Sequence, residues 1–165
     1  MNHLNHTSKT YFRAATALMI VMGLSAQSIA QDRFVFLNDG TEVLDQFTNL
    51  IWKRCVEGKS WDGNSCVDEA RLFTYKQAIT QNSIAFRLPN IKELATLVDT
   101  RLRNPAIYTP AFPNTTPVRS WSKTVRAGDA TRAWSVDFQD GMVTAHDCTS
   151  RLTVRLVRSS PLNRN

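Results

Sequence analysis

The first part of the chain beyond residue 30 contains short runs in which apolar and polar residues alternate, as in β-strands. The alternation begins at Arg33 and breaks at Asn38-Asp39-Gly40, a strong hairpin-turn signal. It resumes over Thr41 to Leu44 and again over Leu50 to Arg54. This region is therefore predicted to form antiparallel strands.

Two capping boxes in the middle of the chain predict two short helices. In a capping box, the N-cap side chain accepts a hydrogen bond from the backbone three residues on, and the side chain there returns the bond. Thr74 with Gln77 begins a helix predicted from about Tyr75 to Gln81, and Asn90 with Glu93 begins the other. Apolar residues follow each box at helical spacing, so each helix has one face to bury.

The second helix is introduced by an Arg-Leu-Pro sequence that turns an extended segment into a helix. Pro89 holds the residue before it in an extended conformation. Arg87 lies among apolar neighbours, as Arg155 does near the end of the chain. An arginine in such surroundings is expected to pair with a buried carboxylate, and Asp99 and Glu93 are the candidate partners.

The last third again has the alternation of strands. Strands are predicted over Arg119 to Ser122, Arg132 to Phe138, Met142 to Cys148 and Leu152 to Arg158, as an antiparallel meander. Four prolines between Asn104 and Pro117 indicate an irregular loop before them. The predicted fold class is α+β: one domain of short antiparallel sheets with two helices.

Residues 1–30 have the order of a secretory signal peptide. Lys9 and Arg13 precede an apolar run from Ala14 to Leu24, and small residues at Ser28-Ile29-Ala30 follow. The apolar run is short for a membrane span, although an uncleaved anchor is the alternative. We expect an exported domain over residues 31–165, in the periplasm or at the cell surface, with no transmembrane segment after cleavage.

Three cysteines remain in the exported part. Cys55 and Cys66 enclose a 12-residue loop with two glycines, and a disulfide between them is predicted for an oxidising compartment. Cys148 is then left as a free thiol, an intermolecular bridge or a member of a different pairing. His146 lies two residues before it, which raises the alternatives of a metal half-site or a Cys-His nucleophile. An edge histidine and a structural thiol are the simpler interpretation, so no metal site and no catalytic residue are predicted here.

Positive charge is concentrated in the second half. Residues 31–99 carry eight Lys and Arg against ten Asp and Glu, whereas residues 100–165 carry ten against four. Guanidinium groups bind sulfate or carboxylate through paired donors, and an indole can stack on a sugar ring. The predicted ligand-binding residues are Arg119, Trp121, Lys123, Arg126, Arg132 and Trp134. In the alternative, the tryptophans fill the core and the arginines form a solvated face.

The choice of ligand follows from charge and export. An anionic glycan or surface polysaccharide is the expected partner, because nucleic acid, the other common polyanion, does not suit an exported protein. No cofactor is expected. Calcium is a weaker alternative with Asp62, Asn64, Asp137 and Asp140 as oxygen donors, although Asp-Gly turns explain these residues more simply.

The order of these motifs resembles the C-terminal domain of Lcl-type collagen-like bacterial adhesins, formerly a domain of unknown function. The resemblance covers nearly the whole exported chain. The matching stretches are Asn38 to Thr41 with Asp45, Thr48 to Trp52, Cys55 to Cys66 with Trp61-Asp62-Gly63, Arg87 to Leu94 with Asp99, Asn104 to Ile107, Phe112-Pro113, Trp121-Ser122, Ala133 to Gly141 and Val154 to Arg158.

The resemblance implies a C-type-lectin-like fold and a non-catalytic, adhesin-like binding module for glycan or sulfated polysaccharide. The chain lacks the collagen repeat of those adhesins and the trimer that the repeat enforces. Two other functions stay open. The formylglycine-generating enzymes share a similar Arg-Leu-Pro helix start, so an enzyme is one alternative, and a structural component of an envelope or pilus assembly is the other.

Overall fold

The computed structural model describes residues 33–82, 85–115 and 118–161. The predicted signal peptide lies outside these residues. Within them, no helix has the length and apolar character needed to cross a membrane.

Short antiparallel strands and two short helices make up the fold, which confirms the α+β prediction. Within the described residues the α-helices are α1 (Tyr75–Ala78) and α2 (Ile91–Ala95), and Asn38–Gly40 forms a short 3-10 turn. The strands in the described part of the chain are β1 (Phe34–Leu37), β2 (Glu42–Asp45), β3 (Leu50–Lys53), β4 (Ser60–Trp61), β5 (Cys66–Val67), β6 (Arg119–Arg126), β7 (Asp129–Asp137), β8 (Val143–Asp147) and β9 (Val157–Ser159).

The first sheet joins the beginning and the end of the described chain. Its strand order is β1-β2-β3-β9, with every neighbouring pair antiparallel. Phe34 pairs with Asp45, Asp45 with Leu50, and Leu50 with Ser159, so these four residues form one row across the sheet. A second sheet has the order β6-β7-β8, and β4 pairs with β5.

The predicted final strand from Leu152 to Arg158 is wrong in extent and in partner. Only Val157–Ser159 forms a strand, and it pairs with β3 of the first sheet instead of continuing the meander. Leu152 and Thr153 make isolated bridges to Phe73 and Ser120. The segment changes neighbours every few residues, because it crosses from the second sheet to the first.

Two apolar clusters fill the interior. The first includes Trp52, Leu94, Phe112 and Val136, and it lies between the first sheet, α2 and the second sheet. The second includes Ile51, Phe73, Leu88, Trp121 and Leu156. Because α2 contacts both β6 and β7, its apolar face is buried against the second sheet.

Both predicted capping boxes are present. Thr74 and Gln77 form the first, and Asn90 and Glu93 form the second. Helix α1 ends at Ala78, earlier than predicted. At α2 the carboxylate of Glu93 also accepts two hydrogen bonds from Arg87, at 2.7 and 2.8 Å, so the expected pairing of that arginine is confirmed.

The predicted disulfide is also present, and it closes the loop that contains β4 and β5. Cys55 and Cys66 are bonded, with their Cα atoms 5.5 Å apart. Cys148 is a free, half-buried cysteine. The bond between Cys55 and Cys66 therefore ties the end of β3 to the small β4-β5 pair.

Among the described residues, Arg155 has no carboxylate partner of the kind that its apolar surroundings predicted. Its guanidinium donates to the backbone oxygens of Lys53 and Arg54 and to Thr115 Oγ1, and it lies 4.8 Å from the ring centroid of Phe112. Asp99 pairs with Arg101 instead. Burial lowers the pKa of Arg155 to about 9. The charge is thus held in the core by carbonyl oxygens, which can accept hydrogen bonds without carrying a charge.

The contact between Arg87 and Glu93 predicts sensitivity to acid. Burial alone raises the pKa of Glu93, but the hydrogen bonds from Arg87 and Asn90, with the charges of Arg87 and Lys123, outweigh burial and lower the pKa below its ordinary 4.5. A depressed folded-state pKa means that the stabilisation is complete above pH 4.5 and is lost as the pH falls through the folded value. Glu93→Gln should therefore cost about 1 kcal/mol at pH 7, because the pair is partly exposed, and little at pH 3.

Urea unfolding of both proteins at pH 7 and pH 3 measures this difference. Glu57→Gln is a matched control, because it also removes one charge and one ion pair, here with Lys53, but Glu57 caps no helix. A difference between wild type and Glu93→Gln that stays the same at both pH values contradicts the prediction.

Candidate functional site

Trp121 does not present an indole face to a ligand, contrary to the sequence prediction. Its side chain is fully buried, and its Nε1 donates to the carbonyl oxygen of Phe73 at 2.8 Å. The Tyr75 ring packs against it edge-on, with the ring centroids 5.8 Å apart. Trp121 is therefore a core residue, and its proposed part in sugar stacking is corrected.

Trp134 lies on the other face of the second sheet and is half-buried. Trp121 is the cross-strand partner of Ser135, so these two side chains share a face. Trp134 precedes Ser135 on β7, and its side chain therefore points to the opposite face. The two tryptophans therefore cannot form one stacking platform.

The predicted basic residues are spread along the second sheet. Arg119 is ion-paired with Asp137 at 3.2 Å, and Arg132 donates to the oxygen of Ala145 at 2.7 Å. Arg126, at the other end of β6 from Arg119, lies 3.9 Å from Asp129. Arg119 and Arg126 are seven residue steps apart along the strand, a length of about 23 Å. Lys123 is exposed. Their contact with a ligand stays a prediction.

Two other arginines line a common cleft of about 280 Å³ beside α1. They are Arg71 and Arg151, and both are exposed. The rest of the wall is mostly polar, with apolar residues at its base. It consists of Leu72, Phe73, Gln77, Thr80 and Gln81.

Backbone pairing brings these two arginines together. Phe73 and Leu152 exchange two backbone hydrogen bonds, at 2.8 and 3.0 Å, and the Arg151 side chain reaches across this antiparallel bridge to the backbone oxygen of Leu72. The Arg71 N–H donates to the oxygen of Glu57 at 2.9 Å. Gly58, at φ +96°, allows this approach, because a Cβ at that position would lie 2.4 Å from the Arg71 nitrogen.

Each guanidinium group in the cleft has N–H donors available for a ligand. Arg151 Nη2 donates to the oxygen of Leu72 at 3.1 Å, and the Arg71 Cζ atom lies 5.9 Å from the ring centroid of Phe73. Neither forms an ion pair with a carboxylate of the described residues. By contrast, carboxylates pair with Arg33, Arg87, Arg101, Arg119, Arg126 and Arg158. The cleft can therefore bind an anion without first breaking an ion pair.

Few features of the sequence indicated this site. Arg151 and its hydrogen-bond acceptor Leu72 are 79 residues apart. Arg71 also belongs to the half of the chain in which acids outnumber bases, so the distribution of charge did not indicate it as a ligand-binding residue. The capping box at α1 was the one local signal, because it fixed the position of Gln77 beside the cleft.

His146 and Cys148 are not arranged as a nucleophile and its base in the described structure. Cys148 Sγ donates weakly to the oxygen of Ala130 at 3.8 Å, and no hydrogen bond joins it to His146. Burial first, and then the charges of Asp147 and Asp129, raise the pKa of the Cys148 thiol. Burial, together with Arg119 and Arg132, lowers the pKa of His146. A raised thiol pKa is the opposite of what a nucleophilic cysteine needs.

The aspartates predicted as alternative calcium ligands accept hydrogen bonds from backbone N–H groups in turns. Asp62 Oδ1 accepts from the backbone of Asn64 and Ser65, and Asp140 Oδ1 accepts from the backbone of Met142. Asp137 accepts from the Gln139 backbone. Over the described ranges, no three His, Cys, Asp or Glu side chains are grouped as metal ligands.

The architecture defines a small, disulfide-bonded α+β domain with a polar cleft lined by two arginines. Comparison with curated proteins finds no match. Comparison with protein families finds a match to the Lcl C-terminal domain over residues 41–158, which is most of the chain. The protein therefore belongs to the Lcl C-terminal domain family, as the order of its motifs indicated.

Proposed function

We propose that this protein is an exported, non-catalytic binding domain for an anionic glycan or another polyanionic surface polymer. The observation that carries the proposal is the cleft in which Arg71 and Arg151 have no carboxylate partner among the described residues. Membership of a family whose name derives from an adhesin supports a binding role.

The chemistry of the cleft suits sulfate or carboxylate groups on a polymer. A guanidinium group binds either anion through two parallel hydrogen bonds. At about 280 Å³ the cleft is at the small end for ligand pockets, so it suits one charged sugar unit and not a large compact ligand. The amide and hydroxyl groups of Gln77, Thr80 and Gln81 can bond to sugar hydroxyls.

Charge-removing substitutions in the cleft test the proposal. Arg71→Gln and Arg151→Gln should each weaken binding to heparin, a sulfated model polymer, by about tenfold or more, because each removes charge-assisted hydrogen bonds. Retention on a heparin column and a titration at two salt concentrations measure the loss. Wild-type binding should fall as salt is added, since the contacts are exposed.

Arg126→Gln is the matched control. It removes one exposed arginine from the predicted patch on β6, where the contact to Asp129 is long at 3.9 Å. Its binding should stay within about twofold of wild type, as for a surface charge at a distance. Equal losses in Arg126→Gln and Arg71→Gln would mean that overall charge, and not the cleft, binds the polymer. No salt-sensitive retention of wild type would overturn the proposed function.

A further inference from the structure

A second cleft, of about 190 Å³, lies at the end of β3 and beside the disulfide loop. Its wall includes Thr41, Lys53, Glu57, Lys59 and the indole of Trp61. It is separate from the arginine cleft, with which it shares no lining residue. The two are close, because the backbone oxygen of Glu57 accepts the hydrogen bond from Arg71.

Trp61 is held in one orientation by its neighbours. Its Nε1 donates to the oxygen of Asp39 at 3.0 Å, and the Arg54 Cζ atom lies 3.9 Å from its ring centroid. Arg54 is itself fixed by hydrogen bonds to the oxygens of Gly40, Pro110 and Ala111. A half-buried indole that is already immobile loses little freedom when a ligand packs on it.

The charges around the indole favour an anion. Lys53 is paired with Glu57 at 2.8 Å, which leaves the charge of Lys59 uncompensated. No side-chain hydrogen bond or ion pair is made by Lys59 in the part of the chain that the structure describes. Arg54 adds a second positive charge behind the ring. The cleft thus combines an apolar platform, a hydroxyl at Thr41 and a free ammonium group.

We infer that the cleft at Trp61 is a saccharide subsite for a hexuronic acid unit. The ring of such a sugar has an apolar face for the indole, hydroxyls for Thr41 and the Lys53–Glu57 pair, and one carboxylate for Lys59. The volume admits one sugar ring and little more. The subsite is formed by residues that the arginine cleft does not use. It rests on the proposed function and deepens it, because one polymer chain can supply sugar units to both clefts.

Calorimetric titration with trigalacturonate and with its methyl ester tests the inference. Wild type should bind both, and the acid more tightly. Lys59→Gln should weaken binding of the acid by about tenfold, the effect of losing a hydrogen bond to a charged group, and leave the ester unchanged. Trp61→Leu should weaken both ligands, because it removes the platform that they share.

Lys92→Gln is the control for loss of charge, since Lys92 is an exposed lysine on α2 that lines neither cleft. Equal affinities of Lys59→Gln and Lys92→Gln for the acid would overturn the inference, as would the absence of wild-type binding at millimolar trigalacturonate. Lys59→Gln keeps the test valid even if Trp61→Leu folds poorly. The Arg71→Gln variant is titrated in parallel, and its heparin retention shows separately whether the proposed function fails.

Discussion

Arg155→Ala is expected to lower the free energy of unfolding by about 3 to 5 kcal/mol. The substitution removes one buried guanidinium, and with it the donor to the backbone oxygens of Lys53 and Arg54 and to Thr115 Oγ1. It also opens a cavity beside Phe112, because the side chain is among the largest that are fully buried. Unpaired buried carbonyls and lost packing act in the same direction.

Arg155→Met separates these two causes. Methionine is flexible, apolar and uncharged, so it refills part of the cavity but does not replace the arginine as a hydrogen-bond donor to the carbonyls. We expect it to recover part of the stability lost in Arg155→Ala, as chemical unfolding with urea would show. A loss below about 1 kcal/mol in the alanine variant would contradict the structural role of the arginine.

Trp121→Ala is expected to cost a similar amount, about 3 to 5 kcal/mol, because it empties the centre of the second apolar cluster. The indole contacts Tyr75 and bonds to the Phe73 oxygen, so the loss should loosen the segment before α1. Thermal and urea unfolding measure this change.

Trp121→Phe is the milder comparison. It keeps an aromatic ring and removes the Nε1 donor, and the oxygen of Phe73 still accepts the backbone hydrogen bond from Leu152. Its cost should be about 1 kcal/mol plus a small packing change. Because Trp121 is buried, the phenylalanine variant should bind heparin as wild type does. Lost binding with unchanged stability would restore the ligand role that the sequence suggested.

Features that depend on a few neighbouring residues were predicted correctly. The capping boxes at Thr74 and Asn90 involve residues three apart, and the bond between Cys55 and Cys66 closes a short loop. Local hydrogen bonding and short loop closure need no knowledge of the rest of the chain. The class of fold followed from these elements and the strand patterns.

Features that depend on distant partners could not be predicted in the same way. The residues of β9 alternate as any strand does, and nothing in them indicates β3 as the neighbour. A carboxylate partner was predicted for Arg155 because an isolated charge is rarely buried. In the structure, carbonyl oxygens at the end of β3 accept its hydrogen bonds instead. The cleft of Arg71 and Arg151 exists only because long-range backbone pairing aligns two segments.

The row of paired residues from Phe34 to Ser159 brings the first and last strands of the described chain to the same end of the first sheet. These two residues are at the outer strands of one four-stranded sheet, in the same row, and three strand spacings put them about 14 Å apart. A tether fixed at Phe34 or at Ser159 would therefore meet the same end of the first sheet. An immobilised sample should give the same affinity whichever end carries the tether.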